Sequence, residues 1–435
     1  MDLLRIAGPH PLEGTVSISG SKNAALPVMA AALLTDQPLE LHNVPDIEDI
    51  EAMATMLRHL GVQVDRLAQS SWRLHAARLG TVQIGADLTR RMRGSFLLFG
   101  ALIARSGEAA IARPGGDDIG MRRVEQHLEG LRLMGANVDE LSDMYTAQAA
   151  RLHGARIDLD MPTVTGTENL IMAAVLADGI TVIANAAREP HVFDLVRCLV
   201  GMGARISGAG TELIVIEGQP SLLHGTTHSV TTDYIEAGTY MVAAAATRGQ
   251  VVVDRMRPSD VRWLINKLRT AGADVVEGAS HVLVRGGPLR AVDVTTWPHP
   301  GFATDLQPQW GALMTQATGT SIVSEALYEN RFRHVPELMR FGARISVEGR
   351  SAIIEGPVRL TPTRATVPDI RSGAALVIAA LCAHGTTELD GVYHLDRGYE
   401  ALEEKLRGLG ANVERVTIAG DGDAAQFDLS GVVGD

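Results

Sequence analysis

Apolar residues recur along this chain at helical spacing and then switch, after a glycine, to the pattern of a short strand. The switch appears six times: MLRHLGVQV around Gly61, GLRLMGANV around Gly135, CLVGMGARI around Gly203, KLRTAGADV around Gly272, ELMRFGARI around Gly342 and KLRGLGANV around Gly410. A residue just past the last helical turn often takes the left-handed conformation, which costs a residue with a side chain about 1 kcal/mol or more. Glycine there predicts a helix end running into a strand. Upstream of each cap lies a second apolar helix, then Gly or a polar turn, a short strand and an irregular loop. Examples are ALPVMAAALLTDQPLELHNVPDIED, NLIMAAVLADGITVIANAAREP, TYMVAAAATRGQVVVDRMRPSD and AALVIAALCAHGTTELDGVYHLDRG. The interval of about 70 residues exceeds the roughly 20 to 50 of common solenoids, so each copy is a small subdomain.

Alternation of Ala-rich helices with Val-, Ile- and Thr-rich strands implies an α/β protein with mixed sheets covered by helices. Three units precede the polar stretch GQPSLLHGTTHSV and three follow it, which predicts two pseudo-equivalent domains with a boundary near Ser229. LLRIAG and VSISG, at the start of the chain, read as short strands of the second domain. The expected division is therefore residues 22–231 against residues 1–21 with 232–435. Because the irregular loop recurs at one place in every unit, six such loops should emerge at comparable positions and line the cleft between the domains.

Composition narrows the function. A length of 435 residues favours two domains, and a net charge of -12 disfavours nucleic acid, whose phosphates are gripped by excess Lys and Arg. Any anionic ligand must meet a local basic cluster. The two cysteines, Cys198 and Cys382, lie in apolar helical stretches, as reduced thiols of a cytoplasmic protein would. No apolar run is long enough to span a bilayer, and zinc-ligand spacing, a Walker A loop and a dinucleotide fingerprint are all missing from the sequence. The expectation is a cytoplasmic protein with no cofactor, no membrane association and no obligatory protein partner indicated.

Three loops carry arginine in otherwise unusual company: RPGGDDIGMR with Arg122, YENRFRH with Arg331 and YHLDRGYE with Arg397. Gly20-Ser21-Lys22-Asn23 stands between a strand and a helix start, where free N–H groups and the helix dipole favour an anion and a lysine adds a full charge. A plain N-cap with a solvated lysine fits that spacing equally well. In Arg113 to Arg122, turn-forming residues before an amphipathic helix predict a mobile, exposed loop. Asp117 on it reads either as a solvated aspartate or as an acid buried when the loop closes. Asp305, in HPGFATDLQPQ, reads either as an N-cap, a role open to Thr304 as well, or as part of a charged site.

Taken together, SGSKNAALPVMAAALL, RPGGDDIGMRRVEQHLEGL, TGTENLIMAA, ANAAREP, PGFATDLQPQ, YENRFRHVPEL and YHLDRGYEALEEKLRGLGANV resemble the UDP-N-acetylglucosamine enolpyruvyl transferase family from end to end. The resemblance implies the enolpyruvyl transferase fold: two inside-out α/β barrel-like domains, each of three repeated units, closing on the substrates. It also implies transfer of the enolpyruvyl group of phosphoenolpyruvate to the 3-hydroxyl of UDP-N-acetylglucosamine, the first committed step of peptidoglycan synthesis. By position, Lys22 and Asn23 would contact phosphoenolpyruvate, Arg122 and Arg397 would hold its phosphate and carboxylate, and Arg331 would lie in support. Arg93, Arg122, Arg123, Val124, Glu125, Gln126, Thr163, Val164, Asp305 and Leu327 would face the nucleotide sugar, with Asp305 as base on its hydroxyl.

Two departures from the family stand out. Asp117 occupies the place of a general acid that is cysteine in most members and aspartate in a minority. The usual Arg-Pro-Val-Asp reads Arg122-Arg123-Val124-Glu125 here, in a segment that touches uridine. Addition followed by elimination needs no metal, but it needs a proton on Asp117, whose ordinary pKa of about 3.9 leaves it ionised at neutral pH. Burial in the closed state is expected to raise it against the pull of the arginines. Competing readings are the shikimate-pathway enolpyruvyl transferase, whose characteristic phrases are absent, a paralogue using another uridine compound, and a non-catalytic nucleotide-sugar binder.

Overall fold

A computed structural model describes residues 2–122 and 124–417. Each of the six units contributes one helix whose residues are nearly all buried: Lys22–Ala30, Leu97–Ser106 and Val164–Ala174 in the first half, Tyr234–Ala246, Gln307–Met314 and Ile370–Cys382 in the second. In Ile370–Cys382 every residue is buried, Arg371 included. Small residues, above all alanine, let such helices approach closely on all sides. In the second half the three pack on one another, and in the first half Leu97–Ser106 touches both of the others. Around them lie amphipathic helices and six four-stranded sheets, so the architecture is inverted, with helices at the centre and strands outside. The apolar core falls into two clusters, one drawn from residues between Ala24 and Val230, the other from residues 4–18 and 234–413.

The sheets repeat one plan, an edge strand parallel to its neighbour followed by antiparallel pairings, as in Gln83–Ile84 beside Glu108–Ala112, then Met144–Gln148 and Asn137–Glu140. The glycines that punctuate the repeat do what their positions require. Gly61, Gly135, Gly203, Gly272, Gly342 and Gly410 all have positive φ, from 89° to 107°.

The N-terminal strands join the second half. Asp2–Gly8 lies between Gly385–Asp390 and Asn412–Thr417, and Glu13–Ser17 runs parallel to Gln250–Asp254. Thr227–Ser229 closes the first half beside Leu39–His42. The chain therefore crosses between the halves twice, side by side. Gly20 bridges Thr232 antiparallel, Ser21 N donates to Thr231 O at 2.8 Å, and Asp233 N donates to Ser19 O at 2.9 Å. Among the described residues no helix is long and apolar enough to cross a membrane.

Candidate active site

The inner helices bring their N-terminal ends to the cleft, and the charged candidates sit there. Lys22 is the first residue of its helix, capped by Ser21, whose hydroxyl accepts from Ala24 N at 3.4 Å. It is buried rather than solvated, and its Nζ lies 3.0 Å from Asp49 Oδ2. The other oxygen of Asp49 receives Arg397 Nε, from the opposite half, at 3.0 Å. Arg397 turns its second face to Asp117, with Nη1 2.6 Å from Oδ1. One chain of four charges, Lys22, Asp49, Arg397 and Asp117, thus spans the cleft. Asn23 follows Lys22, half-buried.

The loop that carries Asp117 is not free, although Arg113, Gly116, Asp118 and Met121 stay exposed as its composition predicts. Asn330 N donates to Ile119 O at 3.2 Å, Asn330 Nδ2 donates to Asp118 O at 3.2 Å, and Met121 N donates to Glu329 Oε1 at 2.6 Å. These bonds pin the loop of the first half to residues 329–330 of the second, so the structure is a closed one. Turn-forming residues predict mobility only when nothing ties them down, and here the other half does.

Burial pushes the Asp117 carboxyl up, but Arg397 and Lys22 outweigh it, and the pKa ends below the ordinary carboxylate value. The expectation that desolvation would prevail is therefore overturned in this closed state. A guanidinium in contact and an ammonium nearby favour the charged form more than partial loss of water disfavours it.

Asp305 lies in a short turn, Thr304–Leu306, ahead of Gln307–Met314, and makes no capping hydrogen bond, so its possible reading as an N-cap is not realised. Its carboxylate is clamped by two buried arginines, Arg331 Nη2 at 2.7 Å and Arg371 Nη2 at 3.0 Å. Arg371, Arg331 and Lys22 together hold its pKa far below the usual range despite burial. Lys22 acts on both Asp117 and Asp305, which makes it the electrostatic link between the two acids.

A second basic pair flanks this centre. Arg93 has its pKa lowered to about 10 by burial and by the neighbouring positive charge of Arg122. Two like charges that act on each other at a partly buried place favour an anion there. Beside them Val124 is buried, Glu125 is exposed at the start of Glu125–Leu133, and Gln126 bonds Met161 through both ends of its amide. Thr163 caps Val164–Ala174, accepting from Gly166 N at 3.4 Å. Leu327 N donates to buried Glu325 Oε1 at 2.8 Å, which fixes the turn before Arg331. Arg123 lies outside the described residues.

Sequence reasoning passed over Asp49 and Arg371. Asp49 resembles its acidic neighbours Glu48 and Glu51 at a helix start. Arg371 had a signal, a lone cation in the first turn of an Ala-rich helix, the position Lys22 holds in its own unit. It also passed over a buried group beside Asp305: Glu189 Oε1 accepts from His299 N at 3.3 Å, His191 stacks on Tyr234 at 6.1 Å, and Glu168 is fully buried nearby. Burial, reinforced by Glu189, raises the Glu168 pKa well above the ordinary value, and burial lowers His191 to about 4.

The sequence matches the family model of EPSP synthase (3-phosphoshikimate 1-carboxyvinyltransferase) over residues 6–406. UDP-N-acetylglucosamine 1-carboxyvinyltransferase 2 of Carboxydothermus hydrogenoformans is 47% identical over 420 residues, 96% of this chain and 100% of that protein. UDP-N-acetylglucosamine 1-carboxyvinyltransferase of Magnetococcus marinus is 47% identical over 419 residues, with the same coverage of 96% and 100%. Among solved structures, the enolpyruvyl transferase NikO from Streptomyces tendae matches with a TM-score of 0.86 at 29% identity, over 96% of this chain and 99% of that one. EPSP synthase from Acinetobacter baumannii matches with a TM-score of 0.74 at 19% identity, over 96% and 100%, which is a likeness of fold alone. Sixfold repeat, inverted domains and 47% identity over nearly the full length agree, and the chain belongs to the EPSP synthase family of enolpyruvyl transferases and, within it, to the UDP-N-acetylglucosamine 1-carboxyvinyltransferases.

Proposed function

We propose that this enzyme transfers the enolpyruvyl group of phosphoenolpyruvate to the 3-hydroxyl of UDP-N-acetylglucosamine, releasing phosphate by addition and elimination. The observation that carries the reading is the run of contacts from Lys22 through Asp49 and Arg397 to Asp117 across the two halves, with Asp305 also under the charge of Lys22. Phosphoenolpyruvate bears two anionic groups on three carbons and needs several fixed cations. Lys22, Arg122 and Arg397 supply them, with Asn23 alongside. Asp117 protonates the methylene carbon, the sugar hydroxyl attacks the adjacent carbon as Asp305 takes its proton, and phosphate then leaves as the new methyl group gives up a proton, which restores the carbon–carbon double bond. Arg331 and Arg371 hold Asp305 ionised and oriented, so it is free to accept a proton although the clamp weakens it as a base.

Arg93, Arg122 to Gln126, Thr163, Val164 and Leu327 line the side that receives the nucleotide sugar. The mobile bodies are residues 22–231 and residues 1–21 with 232–435, hinged on the paired crossing strands. We place the reaction in the cytoplasm, at the entry to peptidoglycan synthesis, with no protein partner required.

Release of phosphate from phosphoenolpyruvate, assayed with UDP-N-acetylglucosamine, shikimate 3-phosphate and other uridine compounds, tests this reading. Turnover with the first is the expected result, and preference for another acceptor would assign Arg123 and Glu125 to a changed specificity. Arg397→Ala is expected to raise KM for phosphoenolpyruvate by roughly 10- to 100-fold, since hydrogen bonds to a charged group contribute about 1.5–3 kcal/mol. An unchanged dependence on that substrate would remove Arg397 from its recognition. The epoxide fosfomycin alkylates the family's usual cysteine, and a carboxylate is a far weaker nucleophile than a thiolate, so it should label this enzyme poorly. Stoichiometric covalent mass at the Asp117 loop after incubation would contradict that.

A further inference from the structure

The Asp117 carboxylate occupies, in this closed state, one face of the cation that the proposed function assigns to phosphoenolpyruvate. Arg397 serves two carboxylates, and they are not held alike. Asp49 is anchored at both oxygens, by Lys22 at 3.0 Å and by Arg397 Nε at 3.0 Å. Asp117 meets Arg397 through one oxygen at 2.6 Å. An incoming anion competing for Arg397 therefore displaces Asp117 before Asp49.

The loop need not open for this exchange. Its ties to the other half run through the carbonyls of Asp118 and Ile119 and the N–H of Met121, none of which depends on the charge of Asp117. Arg93 also packs beneath Gly116. The carboxylate stays on its pinned loop and loses Arg397 as its contacting counter-charge, at a site already largely shielded, where the side chain is 14% exposed. A carboxylate in that position takes a proton.

We infer that binding of the phosphoenolpyruvate anion to Arg397 is coupled to proton uptake by Asp117, so that the substrate charges its own proton donor. The step moves one proton and no electrons: the freed carboxylate and a proton from solvent give the carboxylic acid. The proton later passes to the methylene carbon, and the carboxylate can pair with Arg397 again once phosphate has gone. The inference rests on the enolpyruvyl-transfer reading and deepens it, since it explains how an aspartate paired with arginine in the resting enzyme becomes an acid at neutral pH.

The groups that act on Asp117 are Arg397, Lys22 and His394, with Asp49 sharing Arg397 and Asp118 adjacent on the loop. Burial lowers His394 below its ordinary value, so it is neutral at pH 8 and does not account for uptake there. At about pH 8 the phosphate of the substrate has also completed its second ionisation, near 6.

The test is calorimetric titration of the enzyme with phosphoenolpyruvate alone at pH 8, in buffers of different ionisation enthalpy. Wild type is expected to take up close to one proton more per bound substrate than Asp117→Asn. The pH dependence of affinity in the wild type gives an independent reading. Linkage predicts that affinity falls by up to about tenfold per pH unit above roughly pH 7.5. Equal proton counts in the two proteins, or a flat wild-type profile, overturn the inference while phosphate release with UDP-N-acetylglucosamine leaves the functional reading standing. Absence of phosphate release with every acceptor sinks the functional reading itself.

Discussion

Asp117→Asn is expected to lower turnover by roughly 10²- to 10⁴-fold, the usual contribution of a positioned general acid, while binding of UDP-N-acetylglucosamine stays largely unchanged. Asparagine keeps the shape of the side chain and its reach to Arg397, and it cannot deliver a proton to carbon. It also relieves Arg397 of a competing anion, so KM for phosphoenolpyruvate should not rise as kcat falls. Phosphate-release kinetics and calorimetric binding of the sugar nucleotide separate the two quantities. Wild-type rates in this variant would remove Asp117 from the mechanism.

Asp305→Asn should show a loss of similar size in kcat, about 10²- to 10⁴-fold, joined by a loss of stability. Arg331 and Arg371 are 4% exposed each, and both lose their shared counter-charge in the variant. Breaking a buried pair typically costs about 3–5 kcal/mol, and the 28% exposure of the Asp305 side chain places this case toward the lower end. The sign of the pH dependence follows from the depressed pKa of Asp305. Its stabilising contribution is fully present above the unfolded value of about 3.9 and is lost as pH falls through the folded value. The stability gap between wild type and Asp305→Asn should therefore shrink in acid below about pH 4. Denaturation followed at several pH values would show this, and a constant gap would mean that the carboxylate's charge is not what holds the arginines.

Local rules made the repeat legible. A helix that ends on a left-handed glycine needs only its own few residues, which is why all six caps could be read from spacing. The two segments at the N-terminus could be read as short strands, but the strands they pair with lie hundreds of residues away. Lys22, Asp305 and Arg397 stood out as charges where loops meet apolar helices, a conflict that marks a site. Asp49 did not stand out, since its importance comes from Arg397, 348 residues away, and not from its neighbours. Arg371 was recoverable by aligning its helix start with that of Lys22. The ionisation of Asp117 was beyond reach for another reason. It is a small difference between opposed electrostatic effects, and their balance depends on distances of a few tenths of an ångström that no spacing encodes.

The double crossing of the chain has a consequence for biosynthesis. Strand Asp2–Gly8 is synthesised long before its neighbours, Gly385–Asp390 and Asn412–Thr417, leave the ribosome. The first half, sealed by Thr227–Ser229, can condense while the remainder is still being synthesised. The leading strand must wait unpaired for nearly the whole of that time, with both hydrogen-bonding edges open. Nascent chains of this protein are thus vulnerable to wrong partners at this strand, and slowing elongation would lengthen that exposure.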